Sequence, residues 1–210
     1  MGTFQRLPAT ARDLTRAFSA LAFLASTSGA LGGTALRGQE PAEGLRVSEE
    51  ILYYDVPGTS LSAVVTALNS ARLEGPDGAP SQGLTRYFIK PEWTSRASGG
   101  ACRVAQAEVF VDIDITLPRW SASADRPDDE QERWSKIEAA IREHEYGHRA
   151  LVLEAAGELL STIRGLAARG CGTLDDVVTS TLSVADGRLR EAHATLDRET
   201  PTRLRVGPGS

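Results

Sequence analysis

The residues best suited to chemistry lie in one short segment, His144-Glu145-Tyr146-Gly147-His148. Two histidines four residues apart project from the same face of an α-helix, so both rings could bind one zinc ion. Glu145 would lie beside the metal, where it could take a proton from an activated water and pass it to a leaving amine. The segment therefore predicts a catalytic Zn2+ site, with His144 and His148 as ligands and Glu145 as the general base.

The alternative interpretation of this motif is a pair of surface histidines on an amphipathic helix. A five-residue pattern is short, and it gains weight only from its structural context. The motif uses two of the three histidines in the chain and lies within a long segment that has helical periodicity and no proline. This context favours the zinc interpretation.

A catalytic zinc needs a third protein ligand and keeps its fourth position for water. Glu154 would point away from the histidine face of an unbroken helix, and Glu158 would lie about 15 Å further along its axis. The remaining candidates are His193 and Asp197, which are four residues apart on the last predicted helix. If that helix packs antiparallel to the first, either could bind the metal and the other could orient a ligand. Their spacing does not decide between them.

The elements that would position these residues begin with strands. We predict strands at residues 50–56, 85–89 and 101–117, the last with alternating apolar and polar residues that are typical of a half-buried strand. A glycine-bearing turn at residues 98–100 predicts that the last two strands form an antiparallel hairpin. Pro118 should end the third strand.

The second half of the chain is helical in pattern. One long helix should begin at Pro127 to Glu130 and continue to about Ala168, and a second should run from Leu174 or Asp175 to Thr200. Strands followed by helices indicate the α+β class. We expect a small antiparallel sheet packed on the motif-bearing helix and on the long C-terminal helix, a zincin-like arrangement.

The N-terminal residues differ from the rest of the chain. Arginines at the start, a short apolar run at residues 17–25 and small residues behind it are typical of a secretory signal peptide, the alternative being a disordered tail. We therefore predict a signal peptide at 1–30, a linker at 31–48, the domain at 49–200, a tail at 201–210, and a secreted or periplasmic location. The apolar run is shorter than the roughly 20 residues of a membrane span, and no other stretch could form one.

Charge and cysteine content narrow the possibilities further. The formal net charge is −5 and no Lys/Arg cluster is present, so nucleic-acid binding is not expected. An even number of cysteines in an exported chain favours a disulfide, here between Cys102 and Cys171, over two buried thiols. Neither cysteine belongs to a CxxC pair, which argues against a cysteine zinc site.

The stretch from about Tyr53 to Thr200 resembles a bacterial family of predicted secreted zinc-dependent proteases, itself largely a domain of unknown function. The resemblance covers nearly the whole predicted domain and implies the signal peptide, the Cys102–Cys171 disulfide and the metal site. Family members usually carry His-Gly two residues after the equivalent of Thr200, where this chain has Thr202 and Arg203. If that family histidine is the third ligand, this chain lacks it, and either His193 substitutes for it or the site is degraded. The matching segments are Tyr54-Asp55-Val56-Pro57-Gly58, Gly99-Gly100-Ala101-Cys102, Ile115-Thr116-Leu117-Pro118-Arg119-Trp120, the histidine motif, Cys171 and Leu196-Asp197-Arg198-Glu199-Thr200.

Together these features predict a secreted zinc metallopeptidase that acts on a peptide or protein substrate in the cell envelope. The strands beside the motif helix would hold an extended peptide by main-chain pairing. Two alternatives stay open. One is a non-catalytic envelope module or pseudo-protease with a structural zinc or none, and the other is a zinc hydrolase acting on another bond, such as a cell-wall amide.

Overall fold

The computed structural model describes residues 3–4, 43–71, 73–74, 80–121 and 126–200. Except for residues 3–4, the predicted signal peptide lies outside the described residues. The predicted tail at 201–210 and most of the predicted linker also lie outside them.

The described residues form an α+β structure in which strands precede two long helices. In chain order its elements are β1 (Thr3–Phe4), β2 (Leu45–Asp55), α1 (Leu61–Ser70), β3 (Leu73–Glu74), β4 (Pro80–Ser81), β5 (Leu84–Ser98), β6 (Ala101–Arg119), α2 (Asp128–Gly165), β7 (Ala167–Ala168) and α3 (Cys171–Glu199). This confirms the predicted class and the long C-terminal helix. Strand β2 begins at Leu45, within the stretch assigned above to the linker.

The main sheet is mixed, so the predicted antiparallel sheet is wrong in one respect. Its order is β1-β5-β6-β2, with β7 also paired to β6. Strands β5 and β6 are antiparallel, but β2 pairs with β6 in parallel along its whole length, and β1 pairs with β5 in parallel. Alternating residue types show which face of a strand is buried and carry no information about the direction of its neighbour. The sequence therefore did not predict the parallel pairing of β2 with β6.

The β5–β6 hairpin is confirmed, and its strands are longer than predicted. Gly99 and Gly100 form the turn with φ values of 59° and 80°, which suit a tight two-residue hairpin loop. Strand β6 continues through Pro118 to Arg119, so Pro118 does not end it. The last residue of β6 paired with β5 is Thr116, so a proline two residues later removes no hydrogen bond from that pairing.

The core lies between the sheet and α2. From Val109 to Leu117, every second side chain of β6 is almost completely buried on the face that α2 covers, as the alternation predicted. Helix α1 adds Leu61, Val64 and Leu68 to the same core, and Ser60 caps its first turn. The buried residues of β6 on this face are Val109, Val111, Ile113, Ile115 and Leu117, each 0–1% exposed. None of the helices in the described part of the chain is both long and apolar enough to cross a membrane.

Helices α2 and α3 form an antiparallel hairpin joined by a short connection at residues 166–170. Three acidic residues occupy the first turn of α2, where the positive end of the helix dipole stabilises their negative charges. A disulfide joins Cys102 on β6 to Cys171, the first residue of α3, and confirms the predicted bond. The beginning of α3 is thereby attached to the sheet, and its other end reaches the histidine motif.

The disulfide closes a span of 69 residues, and its removal should destabilise the fold. Replacing both cysteines with alanine is expected to lower the free energy of unfolding by about 4 kcal/mol, because the unfolded chain regains loop entropy. Urea denaturation of the oxidised wild type and the double variant measures this difference. An unchanged midpoint at an unchanged slope would show that the bond adds no stability.

Candidate metal centre between the two long helices

The two motif histidines lie side by side on the face of α2 that meets α3. Each is 9% exposed, and their Nε2 atoms are 3.0 Å apart. The i, i+4 spacing puts the rings one helical turn apart on one stripe. The structure therefore directs the same atom of each imidazole to one common point.

Asp197 on α3 faces this point. Its Oδ1 atom lies 3.2 Å from His144 Nε2 and 3.0 Å from His148 Nε2. The ligand-type atoms of the three residues all lie within 4.8 Å of one another, which is close enough to hold one metal ion. The Asp197 side chain is 57% exposed, so the cluster opens to solvent on that side.

His193 lies behind His148 instead of facing the common point. Its Nδ1 atom is 2.7 Å from His148 Nδ1, and its ring stacks on Tyr87 with a centroid distance of 5.1 Å. Burial, with a smaller contribution from His148, lowers the pKa of His193 to about 4, so this ring is neutral at pH 7. Of the two candidates for a third ligand, Asp197 joins the cluster. His193 instead contacts Nδ1 of His148, the ring nitrogen that does not face the cluster.

Thr200 supports the other histidine in a comparable way. Its Oγ1 lies 3.0 Å from His144 Nδ1 and also donates a hydrogen bond of 2.8 Å to the carbonyl oxygen of Leu196. Residues 193, 197 and 200 follow the i, i+4, i+7 spacing of one helical stripe. One stripe at the end of α3 thus contacts both nitrogens of both motif histidines.

Glu145 packs against the start of β5. It is 1% exposed, and Thr85 Oγ1 donates to its Oε2 atom over 2.8 Å. Burial raises the pKa of Glu145 to about 7, the charge of Asp197 adds to this increase, and the Thr85 hydrogen bond opposes it. The carboxyl group is therefore poised to gain or lose a proton near neutral pH.

Two glycines allow the close packing around these side chains. A Cβ on Gly83 would lie 2.7 Å from Glu145 Oε1 and 2.8 Å from Ile141 Cγ2, both too short for real contacts. A Cβ on Gly147 would lie 3.0 Å from a terminal carbon of Leu196, so the missing side chain lets α2 and α3 approach closely at the motif.

Sequence reasoning identified five of these residues, including Glu145, and missed three. The structure brings His144, His148 and Asp197 into one cluster and places His193 against it, while Glu154 and Glu158 are exposed on another part of α2. It also adds Thr85, Gly83 and Thr200. These residue types are common in strands, turns and helix ends, so no local signal distinguishes them from residues with no role at the site.

The fold and the cluster define a class: an α+β protein with a histidine-carboxylate cluster between two antiparallel helices. A family model with the description "Bacterial protein of unknown function (DUF922)" matches residues 51–203, and the chain belongs to this family. Searches of curated proteins and of solved structures gave no match. Thr202 and Arg203, where the resemblance noted above expects His-Gly, lie outside the described residues.

The buried Glu145 should make the stability of the metal-free protein depend on pH. Its folded pKa of about 7 is above the ordinary value of 4.5, so its stabilising contribution is complete below pH 4.5 and is lost as the pH rises through 7. Relative to wild type, Glu145→Gln is therefore expected to gain up to about 3 kcal/mol in unfolding free energy between pH 4.5 and pH 8.

Urea denaturation of both proteins in the presence of a chelator tests this dependence. Other titrating groups are common to the two proteins and largely cancel in the difference. A difference that stays constant across this pH range would contradict a raised pKa at Glu145.

Proposed function

We propose that this protein is a secreted or periplasmic zinc metallopeptidase. The observation that carries the proposal is the convergence of His144 Nε2, His148 Nε2 and Asp197 Oδ1 within 4.8 Å. Glu145, the neighbour of His144 in sequence, supplies a buried carboxyl group for proton transfer. The export of the protein rests on the N-terminal sequence pattern alone.

The donor set fits zinc. Two imidazoles and one carboxylate are a ligand combination of catalytic zinc sites, in which a further position is left for water. Burial lowers the pKa of His148, which keeps its ring in the neutral form that a metal requires. The exposed side of Asp197 leaves the cluster accessible to water and substrate.

When bound, the zinc ion would supply an activated water and would polarise the carbonyl group of the bond to be cleaved. With the ion in place, Glu145 would be the residue to accept a proton from that water and to return it to the leaving amine. In the metal-free protein, burial raises the pKa of this carboxyl group to about 7. The role of Thr85 is to hold the carboxylate in place through its 2.8 Å hydrogen bond.

His193 serves as an orienting residue in this proposal, and Asp197 is the third ligand. The 2.7 Å contact between His193 Nδ1 and His148 Nδ1 restrains the His148 ring, so that its Nε2 atom stays directed at the cluster. Stacking on Tyr87 fixes the His193 ring in turn.

The substrate would be a peptide or protein segment in extended conformation. Strand β5 carries Thr85 beside the motif, and its outer edge pairs within the described residues only at Phe88 and Ile89. An extended chain could pair with the main-chain groups of the preceding residues of that edge, which no described strand pairs with. This feature favours a peptide substrate over a different amide.

The first test is the zinc content of the purified protein, with His148→Ala and Glu145→Gln as matched variants. We expect about one zinc per chain in wild type and in Glu145→Gln, and a loss of zinc in His148→Ala. Peptide hydrolysis should disappear in both variants, because one lacks a ligand and the other lacks the base. Zinc-free wild type under metal-replete conditions would refute the proposal. Full zinc occupancy without activity would indicate the non-catalytic module.

A second experiment decides whether Asp197 or His193 is the third ligand. Asp197→Ala removes a donor to the metal, whereas His193→Phe keeps a ring against Tyr87 and removes only the contact with His148. We expect His193→Phe to weaken zinc binding by about 10- to 100-fold, and Asp197→Ala to weaken it more. Chelator competition measures both affinities. The opposite order would make His193 the ligand.

A further inference from the structure

Thr200 stands one residue beyond the end of α3, and its hydroxyl group contacts a proposed metal ligand. Its Oγ1 atom is 3.0 Å from His144 Nδ1, and the hydroxyl donates to Leu196 O over 2.8 Å. The backbone N–H of Thr200 donates to the same carbonyl over 2.9 Å. Two hydrogen bonds to Leu196 thus fix the hydroxyl group at the end of the helix.

The direction of these bonds determines whether the hydroxyl donates a hydrogen bond to His144 or accepts one. A threonine hydroxyl has one hydrogen and two lone pairs. Because the hydrogen is directed to Leu196 O, a lone pair is left for the imidazole, and the Nδ1–H of His144 is the donor that it can accept.

A neutral imidazole carries its hydrogen on one nitrogen only. If Nδ1 of His144 is protonated, its Nε2 carries a free lone pair, and Nε2 is the atom that lies 3.2 Å from Asp197 Oδ1 at the cluster. The opposite tautomer would direct an N–H group at the position of the ion and could not bind it.

We propose that Thr200 is a positioning residue, which accepts the Nδ1–H of His144 and thereby selects the tautomer and ring orientation that bind the metal. This inference rests on the proposed zinc site. It assigns a role to a side chain that contacts the His144 nitrogen opposite the cluster.

The test compares zinc affinity in the full chain by chelator competition. Thr200→Val keeps the shape of the side chain and removes the acceptor, so we expect zinc to bind about 10- to 100-fold more weakly. Thr200→Ser keeps the hydroxyl and should restore an affinity close to wild type. Recovery in the serine variant would separate the loss of an acceptor from a general disturbance of the helix end.

Thr181→Val is the matched control. Thr181 makes the same kind of bond to a carbonyl four residues earlier on α3, over 2.9 Å, and lies several turns from the cluster. Its replacement should leave zinc affinity unchanged. If Thr181→Val weakened zinc binding as much as Thr200→Val, the cause would be a general loss of helix stability, and the inference would be wrong.

A spectroscopic readout addresses the tautomer itself. In long-range 1H–15N spectra of the zinc-loaded protein, we expect His144 to show a protonated Nδ1 with slow proton exchange, and Thr200→Val to accelerate that exchange. If wild type binds zinc and Thr200→Val binds it equally tightly, the inference fails and the metal site stands. If wild type binds no zinc, both fail together.

Discussion

The candidate site depends on the antiparallel packing of α2 against α3. His144 and His148 occupy one stripe of α2, and the contacting stripe of α3 supplies His193, Asp197 and Thr200. The absent side chain at Gly147 lets Leu196 pack close to the α2 backbone at the motif itself. Because the two stripes meet only when the helices are aligned over this length, a small shift between them would separate every pair of groups in the cluster.

Three ionisable side chains of the motif, His144, Glu145 and His148, are at or below 9% exposure, and the burial of such groups costs free energy. Neighbours compensate for part of the cost: the histidine rings contact Thr200, His193 and Asp197, and Thr85 donates to Glu145. The apolar core and the disulfide supply stability elsewhere. Accumulation of buried ionisable groups in one place is typical of a site kept for function.

The sequence predicted what depends on local spacing and failed where long-range geometry decides. The shared face of His144 and His148 follows from helical periodicity, and the buried face of β6 follows from its alternation. The choice between His193 and Asp197 depends on ring orientations across a helix pair, which spacing does not contain. Likewise, the parallel pairing of β2 and the approach of Gly83 and Thr85 to Glu145 join residues distant in the chain.

The most direct test of the account is a crystal structure of the zinc-soaked protein with anomalous data collected at the zinc edge. We predict one strong peak bound by His144 Nε2, His148 Nε2 and Asp197 Oδ1, at ligand distances of about 2.0–2.2 Å, with His193 outside the ligand set. The peak should also leave a coordination position free of protein atoms. No peak at this cluster, or a peak bound by four protein side chains, would contradict the proposed catalytic centre.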